Sequence, residues 1–157
     1  METDIGGEHI SLSSSSIAYR PCYIGKGLKI GDNVSIGSMC HIGRNVRIGD
    51  NSNIQGSTYI ANQTSIGSDV FIGPNSTILN DKYPPSGDLS KWKPVQLSNK
   101  SIVGGGCTLL PGSHIGESAV LGGGSVLTRP IPPQEVWAGN PAKFLMTRKE
   151  YDEKRRG

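Results

Sequence analysis

"IGKGLKIGDNVSIGSMCHIGRNVRIGDNSNIQGSTYI", residues 24–60, places an aliphatic side chain at every sixth position: Ile24, Ile30, Ile36, Ile42, Ile48, Ile54 and Ile60. The count runs on through Ile66 and Ile72, stops, and resumes at Val103, Leu109, Ile115 and Leu121, giving thirteen units. Glycine follows the aliphatic residue in ten of the thirteen, the exceptions being Gln55, Ala61 and Leu110. The fifth place holds small or β-branched residues such as Val34, Cys40, Ser52, Thr64, Val70, Ser76, Cys107 and Ala119; Leu28 is the large exception. The fourth place holds Gly27, Asn33, Asn45, Asn51, Asp69, Asn75, Gly106, Gly112 and Gly124, the three residue types that adopt positive φ most readily. A period of six matches neither the 3.6 of a helix nor a long two-residue alternation, so each unit reads as a short extended piece followed by a corner. Units of this kind stack into a solenoid.

The bulk composition agrees with a narrow interior. Only 34% of the 157 residues are hydrophobic and 6% aromatic, while 22 are glycine. One aliphatic and one small side chain per unit need no larger stock. The length suits a single domain. No apolar run reaches the ~18 residues of a membrane span, and the opening "METDIGGEHISLSSSS" is polar and acidic where a signal peptide is basic and then apolar. The expected location is the cytoplasm. Cys22, Cys40 and Cys107 are odd in number and lack C-x-x-C spacing, so neither a disulfide framework nor a zinc site is suggested. A net charge of +3, with mixed signs in the tail "TRKEYDEKRRG", argues against a nucleic-acid binder.

The pattern [aliphatic]-Gly-x-x-[small]-x, over residues 24–79 and 102–131, resembles the hexapeptide-repeat proteins. That resemblance implies an all-β fold, a left-handed parallel β-helix with three units per coil. The chain then divides into a polar N-terminal segment (1–17), the β-helix (18–142) with an inserted loop (79–102), and a C-terminal capping helix (143–157). In that helix Phe144, Leu145 and Tyr151 are expected to face the last coil, because a solenoid end needs a cover.

The loop "NDKYPPSGDLSKWKPVQLSNKS", residues 80–101, carries Tyr83, Trp92, Leu89, Val95 and Leu97 as apolar anchors and Pro84, Pro85 and Pro94 as restraints, so an ordered excursion is expected. Sealing a subunit interface is the plainer use for such a loop. Together with the later "GNPAK", residues 139–143, the stretch "NDKYPPSG" resembles the acetyl-CoA-dependent N-acetyltransferases of nucleotide-linked amino sugars. The resemblance implies acetyl-CoA as cosubstrate, a homotrimer, and a site in the groove between subunits. It makes Asn80 and Asp81 the candidate catalytic residues, and Tyr83, Pro84 and Trp92 the candidate contacts to the acceptor. It assigns Gly104, Gly105, Gly123, Gly139, Asn140, Pro141 and Lys143 to coenzyme A, with Arg129 or Arg148 beside Lys143 at the phosphates. Pro85 stands where many relatives carry Arg, which removes an anionic sugar contact.

Each of these residues also has an ordinary structural role. Asn-Asp is a common turn pair, aromatic loop residues pack on a core, glycines serve corners, and Trp137 closes a solenoid end as readily as it meets adenine. Chemistry separates two classes of acceptor. A sugar amine titrates near the ~7.7–8.0 of an α-amino group and is partly neutral at pH 7, whereas a hydroxyl needs a base. The loop contains no histidine, which favours an amine. His41 and His114 occupy the outward sixth place of their units; with the loop inside one coil they fall in one column three coils apart, ~14 Å at strand spacing. That separation excludes a shared metal within one subunit and weighs against the zinc-dependent carbonic anhydrases of similar fold. Two rival readings remain: an O-acetyltransferase using His41 or His114, and a non-catalytic scaffold.

Overall fold

The computed structural model describes residues 8–157; residues 1–7 of the polar N-terminal segment lie outside the described residues. In each six-residue unit two residues are extended and the rest turn a corner, so the strands are nearly all two residues long. The fourth place has positive φ throughout the repeat, at Asn33, Asn45, Asn51, Asp69 and Asn75 (φ 54–58°) but also at Met39, Ser57 and Gln63 (φ 60–64°), whose side chains do not favour it. The corner therefore comes from stacking as well as from local preference.

Three parallel sheets form the sides of a triangular solenoid. Ser35–Ile36, Asn53–Ile54, Phe71–Ile72, Ile102–Val103 and Val120–Leu121 lie on the first face, flanked by Ile17–Tyr19 below and Glu135–Gly139 above. The second face holds Tyr23–Ile24, His41–Ile42, Tyr59–Ile60, Thr77–Ile78, Thr108–Leu109 and Val126–Leu127. On the third lie Lys29–Ile30, Arg47–Ile48, Ser65–Ile66, Gln96–Leu97 and His114–Ile115. The fold is the left-handed parallel β-helix.

Alternate residues of each strand point in and out, so the aliphatic residues form three internal columns. Ile36, Ile42, Ile54, Ile60, Ile72, Ile78, Leu109, Ile115 and Leu121 are fully buried. Between them sit Val34, Val70, Cys40, Cys107 and Ala119, with Ser16, Ser52 and Ser76 turning their hydroxyls to carbonyls of a neighbouring coil. Cys40 and Cys107 thus belong to the core, where burial raises their thiol pKa values.

The register corrects the extent of the loop. Paired residues are 18 apart from Ser35 to Asn53 to Phe71, and 31 apart from Phe71 to Ile102, so only 13 residues are extra. Gln96–Leu97 is an ordinary strand paired to Ser65–Ile66 and His114–Ile115, and Leu97 and Ser101 are buried at the aliphatic and small places. The expected loop 79–102 is therefore too long at its C-terminal end; the excursion is 79–95. The unit "QLSNKS" escapes the pattern because Ser98 replaces glycine.

The C-terminal end also differs from expectation. Ala142–Thr147 is a strand that pairs antiparallel with Glu135–Gly139, and only Arg148–Arg156 is helical. Thr147 starts that helix with a capping box to Glu150, and Arg148 pairs with Asp152 at 3.1 Å. Phe144 and Leu145 are 55% and 57% exposed, and the helix buries no residue fully. Backbone pairing to an open sheet edge outweighs the helical pattern. Trp137 and Ala142 join the hydrophobic core, so the hairpin closes the last coil. At the other end His9–Ser11 pairs antiparallel with Ile17–Tyr19.

Candidate functional site

The excursion leaves the corner between the second and third faces. The aliphatic Ile78 fixes its start, and Asn80 stands two residues beyond. An antiparallel bridge from Asp81 to Trp92 closes its base, and the Lys93 N–H donates to the Asn80 carbonyl at 2.6 Å. Gly112 N–H donates to the Lys93 carbonyl at 2.7 Å, anchoring the returning chain on the next coil. The side-chain amide of Asn80 donates to the Asn62 carbonyl one coil below, at 3.4 Å.

Asp81 serves the loop itself. One carboxylate oxygen accepts from Ser86 N–H at 2.9 Å, the other from Tyr83 N–H at 3.2 Å. These donors, Ser86 first, hold its carboxyl below the usual aspartate pKa. A depressed folded pKa means that the ordering from Asp81 is fully present above the unfolded value of about 3.9 and is lost as pH falls through the lower folded value. Acidification below pH 4 is therefore expected to loosen the loop, read as a change in Trp92 emission, and Asp81→Asn should show the loosened signal already at pH 7.

The loop aromatics part company. Tyr83 is 70% exposed, with Lys82 over its ring, and Pro84 is also exposed. Trp92 is half-buried and, with Leu89, faces Arg44, Asn45, Asn62 and Gln63 across a small cleft under the loop.

The glycines gather at the other edge of the second face, in the last coils. A Cβ on Gly104 would lie 2.5 Å from the Gly123 nitrogen, so coil stacking alone explains Gly104. Gly123 is different: its φ is ordinary and a Cβ there would meet the Gly105 oxygen at 3.4 Å and nitrogen at 3.9 Å, ordinary contact distances. Gly105 has comparable room, its nearest neighbours on Pro74 at 3.3 Å. Gly139, with φ +105°, donates its N–H to Ser125 Oγ at 3.0 Å. Asn140 and Pro141 make the hairpin turn, joined by a cis peptide, and Lys143 stands opposite Ala138. Six residues separate Pro74, beneath Gly105, from Asn80, a reach of at most ~20 Å along one side of the prism. The loop corner and the glycine corner therefore border one face.

Against this geometry, residues 27–62 and 45–80 match the family model described as bacterial transferase hexapeptide (six repeats). The chain carries the hexapeptide repeat of that family over residues 27–80. It is 36% identical to a candidate acetyltransferase of Saccharomyces cerevisiae, covering 54% of this chain and 45% of that one. With a candidate acetyltransferase of Schizosaccharomyces pombe it shares 33% identity over 48% of this chain and 39% of the other. The chain thus spans less than half the length of these curated relatives. Among solved structures, a histidine-to-alanine mutant of GDP-perosamine N-acetyltransferase from Caulobacter crescentus, in complex with CoA and GDP-perosamine, superposes with a TM-score of 0.73 at 21% identity, covering 83% of this chain and 56% of that one. AntD, an N-acyltransferase from Bacillus cereus in complex with dTDP and 3-hydroxybutyryl-CoA, gives 0.74 at 19% identity over 90% and 85% of the two chains.

Within the hexapeptide-repeat solenoid the histidines fall on different faces, not in one column, because the unit Gln96–Leu97 shifts His114 onto the third face. His41 lies between Tyr23 and Tyr59, ring centroids 4.6 and 4.7 Å away, in a stacked ladder. His114 Nε2 is 2.8 Å from Ser98 Oγ. No cluster of three metal-binding side chains exists among the described residues. Trp137 donates its indole N–H to Glu135 at 2.7 Å and lies under Arg129, the closing role rather than an open adenine platform. Arg148 is committed to Asp152 and to the Ser118 carbonyl at 2.9 Å. Lys143 remains exposed. Sequence reading missed Arg44 and Asn62, 36 and 18 residues before Asn80; the 18-residue coil was the signal that would have found them.

Proposed function

We propose that this hexapeptide-repeat protein transfers an acetyl group from acetyl-CoA to the amino group of a nucleotide-linked amino sugar. The observation that carries the reading is the pair of edges on the second face: a rigid loop presenting Asn80 at one, a glycine corner at the other. Support comes from the relatives named as acetyltransferases and from the two N-acyltransferase structures crystallised with CoA or acyl-CoA and a nucleotide.

Asn80 holds the acceptor. Its Nδ2 is turned to the Asn62 carbonyl, and no hydrogen bond from the described residues reaches its Oδ1, which is free to accept from a sugar ammonium or amine. Asp81 keeps Asn80 in place by fixing the loop, and its charge favours an ammonium nearby; Tyr83, Pro84 and Trp92 surround the acceptor. Backbone at Gly104, Gly105 and Gly123 lets pantetheine approach its amides. Gly139, Asn140, Pro141 and Lys143 receive the adenine nucleotide end. The neutral amine attacks the thioester carbonyl, the C–N bond forms as the C–S bond breaks, and the surplus amine proton leaves with the departing thiolate. A homotrimer in the cytoplasm completes the reading, with the groove between protomers joining the two halves of the site.

A second reading, O-acetyl transfer, draws on the Ser98–His114 hydrogen bond, which presets one imidazole nitrogen and leaves the other for a hydroxyl proton. A maltose O-acetyltransferase from Clostridium difficile superposes with a TM-score of 0.60 at 28% identity, covering 80% of this chain and 68% of that one. One experiment separates the two: calorimetric titration with acetyl-CoA, then thiol release measured across nucleotide-linked amino sugars and hydroxyl-only sugars. Release with the amines supports the first reading. Turnover of the hydroxyl sugars alone moves the assignment to the second, and no acetyl-CoA binding leaves a scaffold.

A further inference from the structure

The third place of the unit, two residues after the aliphatic, forms its own outer column at the loop corner: Lys26, Arg44, Asn62 and Asn80, one per coil. Their backbones are tied in sequence. Asn45 N–H donates to the Lys26 carbonyl at 2.8 Å, Gln63 N–H to the Arg44 carbonyl at 2.9 Å, and Arg44 N–H to Asn62 Oδ1 at 2.7 Å. Coils stack at ~4.8 Å, so Arg44 stands ~10 Å and Lys26 ~14 Å below Asn80 along a straight line. Lys29 and Arg47 lie beside them, paired in register on the third face. All four cations are exposed, and none takes part in an ion pair among the described residues.

The loop leans over the middle of this column. Trp92 and Leu89 form one wall of the cleft, and Arg44, Asn45, Asn62 and Gln63 form the floor. Lys82, Lys91 and Lys93 line the loop's other hollow with Tyr83, Ser86 and Ser90. The acids of the loop are already engaged: Asp81 by two backbone N–H groups, Asp88 by Ser90 and by Lys91 at 4.0 Å. An aromatic face, primary amides and an unpaired guanidinium in one cleft, with Lys26 one coil further down the column, match the parts of a nucleotide: an indole stacks on any base, amides read a base edge, and guanidinium and ammonium groups hold phosphate oxygens.

Resting on the proposed acceptor class, we infer that the cleft between Trp92 and Arg44 is the nucleoside-diphosphate subsite, with the diphosphate on Arg44 and Lys26 and the base against Trp92. The order along the column fits such an acceptor. The sugar amine is held at Asn80, the ring spans toward Asn62, and the diphosphate on the anomeric carbon comes within reach of Arg44. Coenzyme A also carries a nucleoside diphosphate, but its proposed contacts lie across the second face, at the glycine corner. The cations beneath the loop are therefore free for the acceptor.

Binding can be measured without any transfer. UDP, dTDP and GDP are titrated separately into the full chain, by calorimetry and by Trp92 emission, with CoA as a parallel titrant. At least one nucleoside diphosphate is expected to bind and to change the emission, with an affinity that falls as salt rises. Arg44→Gln and Lys26→Gln should each weaken it by about tenfold, the size of one charge-assisted hydrogen bond at a partly open site. Both side chains are exposed, and an unchanged Tm checks that the solenoid is intact. The subsite is refuted if no nucleoside diphosphate binds at millimolar concentration, if both variants bind as the parent does, or if CoA competes for the same site and so claims the cations for the donor. Acetylation of a nucleotide-free amino sugar by a chain that binds no nucleoside diphosphate would remove this subsite while leaving the transferase reading standing.

Discussion

With the acceptor role proposed for it, Asn80→Ala is expected to lower kcat for acetyl transfer by about 10²-fold or more, the loss typical of removing one preorganised polar group from the reacting centre. Its stability hardly moves, because the lost side-chain bond to the Asn62 carbonyl is long, 3.4 Å, and partly open to water. The bonds that shape the loop are elsewhere: Lys93 N–H on the Asn80 carbonyl, and Ser86 and Tyr83 N–H on Asp81. None needs the Asn80 side chain. Asn80→Ala and Asp81→Asn are therefore expected to differ in kind. The first keeps the neutral-pH Trp92 emission and loses turnover; the second alters the emission first and loses turnover through a loosened loop. Steady-state rates beside emission spectra read both. An Asn80→Ala enzyme with parental kcat would remove Asn80 from the site.

Gly104→Ala destabilises the solenoid by roughly 2–4 kcal/mol, whereas Gly123→Ala, one coil higher at the same corner, stays within about 0.5 kcal/mol of the parent. The difference is geometric. At Gly104 the new methyl lies 2.5 Å from the Gly123 nitrogen and 2.7 Å from its Cα, backbone atoms that no rotamer change can clear. At Gly123 the nearest atom is the Gly105 oxygen at 3.4 Å, and the side open to solvent is empty. That outer space is where pantetheine would pass, so Gly123→Ala is expected to weaken acetyl-CoA binding by about tenfold while leaving Tm in place. Denaturant unfolding and calorimetry on the two variants check the prediction. Equal CoA affinity for Gly123→Ala and the parent would move the cofactor away from this corner.

The two glycines show what the repeat made legible and what it did not. The second-place glycine is demanded by the distance between coils, and that distance follows from hydrogen-bonded strand spacing, so its role is readable from the period alone. The third-place glycine is not demanded by the stack, and sequence gives both the same letter. Only coordinates tell which has room on its outer side. The same contrast separates the small fifth-place residues, whose burial the period foretold, from Ser98, whose departure from glycine gained a meaning only when His114 was found 2.8 Å away.

The C-terminal tail shows how a local pattern is overridden. Residues 143–157 have helical amphipathicity, yet Ala142–Thr147 is extended because the last coil offers Glu135–Gly139 as an unpaired edge. A strand edge left open costs more in unmade backbone hydrogen bonds than a short helix gains. The helix then begins at Arg148, where Thr147 and Glu150 supply the cap.

Sequence alone determined a six-residue solenoid, because a large aliphatic, a small residue and a positive-φ corner in each unit let a narrow stack bury its apolar side chains; the left hand and three-sided coil were implied by the family resemblance. It also located the excursion and named Asn80 within it. The tertiary structure decided the length of that excursion, the separation of His41 from His114, and the assembly of Lys26, Arg44 and Asn62 beneath Asn80. Those depend on which residue stands above which, and stacking at one coil per 18 residues converts distant positions into neighbours that no local pattern marks.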